Sequence, residues 1–196
     1  MSAIIIARAA VTSQGSVQRR AFPESVLAKV RRLPAVQDAI GGVADDNTDL
    51  IGKNGKVIDF AGGAPHLGFS IDPSRRNANG LVLAEGVWPN DGEVVIDRWT
   101  ADKKQIAVGD AIKVKTKNGV REFRVSGLFS LGRSNVSLGG ATVAGFDLHT
   151  AQKLFRKEGK LDEIRISAKP GGSRANLLRQ IWDILPPQTQ VRISPG

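Results

Sequence analysis

The residues able to carry chemistry are few in this sequence, and they stand far apart. Only two histidines are present, His66 and His149. Neither has a second histidine or a carboxylate at ligand spacing on a well-marked element, so both read as surface histidines and no metal site is expected. Asp97, Asp102 and Asp110 fall close enough together to suggest an acid–base pair. Their contexts point to structural work instead: Asp102 starts or flanks a short helix, and Asp110 follows Gly109 in a tight turn, where an aspartate bonds its own backbone. The glycine-rich stretch "VSLGGATVAGF" resembles a phosphate cradle. No Lys-Ser/Thr follows it, however, and the next helix starts too late to aim its N-terminus there, so it reads as a strand approach with a bulge. Gly-x-Ser-x-Gly, Walker and Gly-x-Gly-x-x-Gly signatures are absent, and the lack of cysteine excludes thiol catalysis and thiolate metal sites. No catalytic, metal or cofactor-binding residue is expected, and the chain does not read as an enzyme.

The elements behind these residues are better marked than any site. Ala3 to Ala10 is a β-branched run that reads as a buried strand. "FPESVLAKVRRLP" follows as a helix, with Pro23 at its start, Val26, Leu27, Val30 and Leu33 on one face, and a stop at Pro34. A strand from Val36 to Val43 comes next. Near the other end the same grammar returns: "DEIRISAKP" is a strand, Ser173 caps a helix with Leu177, Leu178, Ile181, Ile184 and Leu185 inward, and "QVRIS" closes the chain. Trp182 lies beside that apolar face and reads as core. Two such units can share one sheet with both helices on one face, as in the split β-α-β arrangement. The first strand would then start, and the last strand finish, at the same edge of the sheet, with both termini pointing the same way.

Between the units lies a glycine-rich stretch of short strands. Structural turns are expected at Asn54-Gly55, Gly109-Asp110 and Asn118-Gly119, the first and last being Asn-Gly hairpin signals. A two-residue Asn118-Gly119 turn would pair Val114 with Phe123 and Ile112 with Val125, and would set Lys115 against Glu122. "FDLHTAQKLFRKEG" reads as a helix with Asp147 as N-cap, Leu148, Ala151, Leu154 and Phe155 inward, and Gly159 as its stop. The expected fold class is α+β: a discontinuous subdomain of two strand-helix-strand units, 1–45 and 161–196, with a β-rich insertion, 46–160.

Composition agrees with a folded chain of 196 residues, 41% hydrophobic and 24% charged. The formal charge of +9 can serve nucleic acid, an anionic membrane surface or an acidic substrate. The charges are scattered as pairs, Arg19-Arg20, Arg31-Arg32, Arg75-Arg76 and Lys103-Lys104, which suits a solvated surface. The three tryptophans are far apart and there is no tyrosine, which leaves little for a single-strand stacking platform. No segment approaches the roughly 20 apolar residues of a membrane span, so the 196 residues read as a soluble piece.

The run "GEVVIDRWTADKKQIAVGDAIKV", a strand hairpin and "VSGLF", then "TAQKLF" and "LDEIRISAKPG" in that order, resembles the extracytoplasmic domain of FtsX-like, MacB-type ABC transporter permeases. The resemblance covers most of the chain, with Ala3 to Val43 its weakest part. It implies a porter-like subdomain from both chain ends, an inserted sabre-like subdomain, and a place on the extracytoplasmic face of the cell membrane. It further implies flanking transmembrane helices, a cytoplasmic ATPase where ATP is used, a second permease copy and an extracytoplasmic protein partner, with no cofactor in this domain. Family permeases carry their membrane segments in the same chain, so these residues are expected to be one domain of a longer protein that transmits motion and holds substrate or partner. The competing readings are a stand-alone basic module for nucleic acid or anionic cell-wall polymer, motivated by the charge, and a hydrolase resting only on scattered Asp and Ser.

Overall fold

The structure, a computed structural model, describes residues 2–7, 9–11, 17–60, 62–72, 81–131 and 139–194. The chain opens with β1 (Ser2–Ala7), a small hairpin of β2 (Ala9–Val11) and β3 (Val17–Arg19), β4 (Phe22–Pro23), α1 (Ser25–Arg31) and β5 (Val36–Gly42). Its middle runs through β6 (Ala44–Asp45), β7 (Asp49–Ile51), β8 (His66–Ile71), β9 (Leu81–Gly86), β10 (Glu93–Asp97), α2 (Arg98–Lys104), β11 (Ala111–Thr116), β12 (Gly119–Leu131), β13 (Thr142–Asp147) and α3 (Leu148–Leu154). β14 (Lys160–Leu161), β15 (Glu163–Ala168), α4 (Arg174–Trp182) and β16 (Thr189–Ser194) complete it. Two compact units result: unit 1 is Met1–Val43 with Gly159–Gly196, and unit 2 is Ala44–Glu158.

In unit 1 four strands lie in the order β16-β1-β15-β5, every neighbour antiparallel. The crossovers β1-α1-β5 and β15-α4-β16 each skip one strand, which is the split β-α-β topology. Alternation along β1 decides the buried face: Ala3 sits between Ile166 and Ile193, and Ile5 between Ile164 and Val191. Ala3, Ile5, Ile164 and Ile166 are buried. Val26, Leu27 and Val30 of α1 close over this layer, each contributing about 1.5–3 kcal/mol by leaving water. Gly41 makes room for them. A Cβ there would meet Leu161 at 2.6 Å and Leu27 at 3.1 Å. α4 buries Leu177 and Ile181 and is capped by Ser173, whose Oγ accepts from Asn176 N at 3.5 Å. Gln180 Oε1 of α4 accepts from Ala35 N at 3.0 Å, tying it to the end of α1. The apolar run from Ala3 is shorter than one strand to Ala10, because the chain breaks from the sheet after Ala7 and β2 pairs with β3 instead.

Unit 2 is built on the order β6-β8-β13-β10-β12-β11-β7, with β9 joining the second half of the long β12. Phe146 packs edge-on against Phe123 at 5.2 Å and Phe155 at 6.3 Å on one side. Ile71, Val95, Phe129 and Val143 form a buried cluster with Trp88 packed against it. Asp97 caps α2 and Asp147 caps α3, accepting from Thr100 N and Thr150 N at 2.8 and 3.0 Å.

The β11–β12 hairpin differs in register from the two-residue Asn118-Gly119 turn. Ile112 pairs with Phe123, Lys113 with Glu122 and Val114 with Arg121. Of the primed turns, type I′ needs positive φ at both central residues and type II′ at the first, and of Asn118 and Gly119 only the second, at φ 95, has it. Lys117 and Asn118 make the bend, Asn118 N donating to Thr116 Oγ1 at 3.2 Å, and Gly119 supplies the left-handed step that follows. The slip is two residues, so each side chain keeps its face. α3 ends at Leu154 rather than running to Gly159, because Arg156 adopts a left-handed φ of 56.

Candidate functional site

The histidines do not meet. His149 is exposed in the first turn of α3. His66, at the start of β8, lies 2.5 Å through Nδ1 from Asp49 Oδ1, and Lys115 Nζ stands 3.3 Å from Asp49 Oδ2. Burial pushes the Asp49 carboxyl up, but the hydrogen bonds from His66 and Lys115 outweigh it and hold the group below its usual range. An ionised Asp49 can only accept, so His66 donates from Nδ1. The arrangement pins β7 to β8 and β11. Among the described residues no group of three His, Asp or Glu could hold a metal ion.

The three aspartates also separate into structural roles. Asp97 accepts from Thr100 N and, through Oδ2, from Val143 N at 3.1 Å; burial still pushes its carboxyl above the ordinary range against those donors. Asp102 neither starts nor flanks α2, since Asp97 is the cap; it lies inside the helix, 3.7 Å from Arg98 one turn back. Asp110 Oδ2 accepts from Ala107 N at 2.9 Å and pairs with Lys53 Nζ at 2.8 Å. Those two partners, the backbone donor first, hold its carboxyl below the usual range. The described part of the glycine-rich stretch, from Gly139 on, carries no bulge: Gly139 and Gly140 turn at positive φ and β13 then runs in unbroken register along β8. Val136 to Leu138 lie outside the described residues.

Of the six turn residues, four are drawn together. Gly55 turns at φ 75, Asn54 Oδ1 accepts from Lys56 N, and Gly109 turns at φ 97. Lys53 joins the two turns through Asp110 and through Gln105 O at 2.9 Å. A shallow groove of about 200 Å³ lies beside them, lined by residues that include Ile51, Gly55, Ile112 and Glu122. Asn118 and Gly119 are at the other end of β11, where Asn118 Nδ2 donates to Lys153 O at 3.1 Å. Sequence reasoning missed Lys53; its signal was a lysine next to an Asn-Gly turn, which points at nothing by itself.

The tryptophans stay apart. Trp99 meets Phe60 edge-on at 4.4 Å, and Trp182, expected in the core, is 52% exposed because Leu177 and Ile181 define the buried side of α4. Much of the unit 2 charge is paired: Lys115 with Asp49, Lys117 with Asp45 at 2.7 Å and Arg124 with Glu93 at 3.2 Å. Arg75 and Arg76 lie outside the described residues.

Residues 1–184 match the family described as the MacB-like periplasmic core domain. No curated protein matches the chain. In fold, 97% of this chain superposes on 87% of the periplasmic region of MacB from Actinobacillus actinomycetemcomitans, with a TM-score of 0.71 at 13% identity. The extracellular domain of the noncanonic ABC-type transporter YknZ from Gram-positive bacteria is covered over 100% of its length by 98% of this chain, with a TM-score of 0.65 at 9% identity. A permease-protein domain from Porphyromonas gingivalis is similar over 97% of this chain and 86% of its own, with a TM-score of 0.61 at 14% identity. At such identities these likenesses show the fold alone, and the family assignment rests on the sequence match. No helix among the described residues is long and apolar enough to cross a membrane. The chain belongs to the MacB-like periplasmic core domain family, the extracytoplasmic domains of MacB-like ABC transporter permeases, a family that is generally non-catalytic.

Proposed function

We propose that this domain transmits motion received from flanking transmembrane helices, coupling it to a cytoplasmic ATPase that uses ATP, and that it engages substrate or a partner protein outside the membrane. The observation that carries the reading is the pairing of the first and last strands. β1 runs antiparallel to β16 with Ser2 opposite Ser194, so the chain enters and leaves unit 1 at one end of one sheet. Two membrane segments in a single bilayer need such an arrangement. A displacement of either segment then acts on a hydrogen-bonded, four-stranded base and not on a loose linker. A lever of this kind requires packing and register, which the buried row of Ala3, Ile5, Ile164 and Ile166 supplies, and it requires no nucleophile. The porter-like role falls to unit 1 and the sabre-like role to unit 2.

The test is made in the full-length permease. Flexible Gly-Ser segments inserted just before Ser2 or just after Ser194 are expected to uncouple ATP hydrolysis from transport while leaving the melting of the domain unchanged. Full transport with both insertions in place would overturn the lever.

A further inference from the structure

The excess charge of this chain is not spread evenly. Unit 1 holds twelve Lys and Arg against five Asp and Glu, whereas unit 2 holds sixteen against fourteen. Within unit 1 the strand directions sort the charges further. β1 starts and β16 finishes at one end; β5 starts there and β15 finishes there, since Val36 pairs with Ala168 and Ser2 with Ser167. α1 therefore delivers Arg31 and Arg32 to that end, and the β15–α4 turn places Lys169 and Arg174 beside them. Arg32, Lys169 and Arg174 are exposed. The two turns are fastened together: Lys169 N donates to Ala35 O at 3.1 Å, and Gly172 N to Lys169 O at 3.1 Å. Arg192, also exposed, stands two residues before the end of β16.

The carboxylates are sorted the other way. Glu24, Asp162, Glu163 and Asp183 lie where the strands β1, β5 and the helix α4 finish, at the opposite end of the sheet. The fifth, Asp38, uses Oδ1 to accept from Ala39 N at 2.7 Å within β5. The end from which both terminal strands leave is thus basic apart from Asp38, which pairs with Ser167 there, while the far end holds the other four acids together with Lys160 and Arg20.

We propose that this end of unit 1, built from the α1–β5 and β15–α4 turns, is a docking surface for anionic phospholipid headgroups. The proposal rests on the reading of the domain as one held between two membrane segments, because those segments would set this end against the bilayer surface. Lysine and arginine within a Debye length of an anionic surface are drawn to it, and more basic groups strengthen the attraction. Fixed on two short turns, the groups would orient the base of the lever as well as hold it. A nucleic acid would require a basic groove or stripe that follows a phosphate backbone, and these groups instead sit on two turns beside the start of β1 and the finish of β16.

The chain as it stands can be tested by sedimentation with vesicles of phosphatidylcholine alone and of phosphatidylcholine and phosphatidylglycerol in equal parts, at low salt. Binding is expected only to the anionic vesicles. The triple variant Arg32→Gln, Lys169→Gln, Arg174→Gln is expected to lose about a hundredfold in partitioning, at roughly fivefold for each group. A variant of equal net charge, Lys56→Gln, Lys103→Gln, Lys153→Gln, is expected to keep most of it, and the charge-preserving Arg32→Lys, Lys169→Arg, Arg174→Lys is expected to bind as the natural chain does. Equal losses in the two neutralised variants, or no binding to anionic vesicles, would overturn the proposal. Tighter binding to duplex DNA than to vesicles, lost in the first variant, would overturn it in favour of a nucleic acid. Vesicle binding reads the surface alone, so it can fail while the Gly-Ser insertions still uncouple transport, and the reverse.

Discussion

Among single residues, Asp97 does the most. It caps α2 and holds Val143 N in place from one carboxylate. Asp97→Ala is expected to cost about 2–4 kcal/mol, from the lost cap and a buried N–H left without an acceptor, as read by chemical denaturation; a loss under half of that would show that the cap is solvated. The acid behaviour of the domain follows from opposed shifts. Asp97 is raised, so its contribution is full below the ordinary carboxylate range and fades as pH rises through its folded value. Asp49 and Asp110 are lowered, so theirs is present above 3.8 and lost as pH falls through their folded values. Asp49→Asn is therefore expected to lower stability near neutral pH and to make the acid-side loss shallower. An unchanged slope of stability against pH in the acid limb would refute the role given to His66 and Lys115. None of this could be read from spacing, because the partners of Asp49 come from β8 and β11, 17 and 66 positions away in the chain.

At the scale of elements, pattern was legible where periodicity alone decides it. The strands that bury Ile5 and Ile166, the helix face of Val26, Leu27 and Val30, and the caps Asp147 and Ser173 all follow from local grammar. The register of β11 against β12 did not, because Asn-Gly is compatible with either a primed turn or an ordinary bend followed by a left-handed glycine. Side-chain alternation cannot separate the two, since a slip of two residues keeps every face. The difference has a measurable consequence. With positive φ at Gly119 only, Gly119→Ala is expected to cost about 1–2 kcal/mol, and Asn118→Ala no more than about 1 kcal/mol for an exposed hydrogen bond to Lys153 O. Equal costs would restore the primed turn. Trp182 was misjudged for a similar reason: a residue next to an apolar helix face is one step, about 100°, away from it.

For the molecule as a whole, the sequence displayed +9 as isolated pairs, and only the strand directions gather Arg32, Lys169 and Arg174 at one end of unit 1. The same directions make the base easy to lock. The chain has no cysteine, so Ser2→Cys with Ser194→Cys introduces a single pair at opposed positions. Oxidation is expected to raise stability by up to about 4 kcal/mol, because it closes nearly the whole chain; failure of the pair to form under mild oxidation would contradict the β1–β16 register. The junction at β5 and β15 carries a different consequence. Gly42 is the cross-strand partner of Glu163, so all of unit 2 is threaded through what would otherwise be a hairpin turn. Closing a flexible loop of that length costs about 3 kcal/mol more than closing a short turn. That penalty disappears once the intervening residues have folded and hold their own ends close together. From that topology we expect unit 2 to form first, β5 and β15 to meet second, and β1 to wait for β15 and β16, an order that pulse-labelled hydrogen exchange would read and that early protection of β1 would overturn.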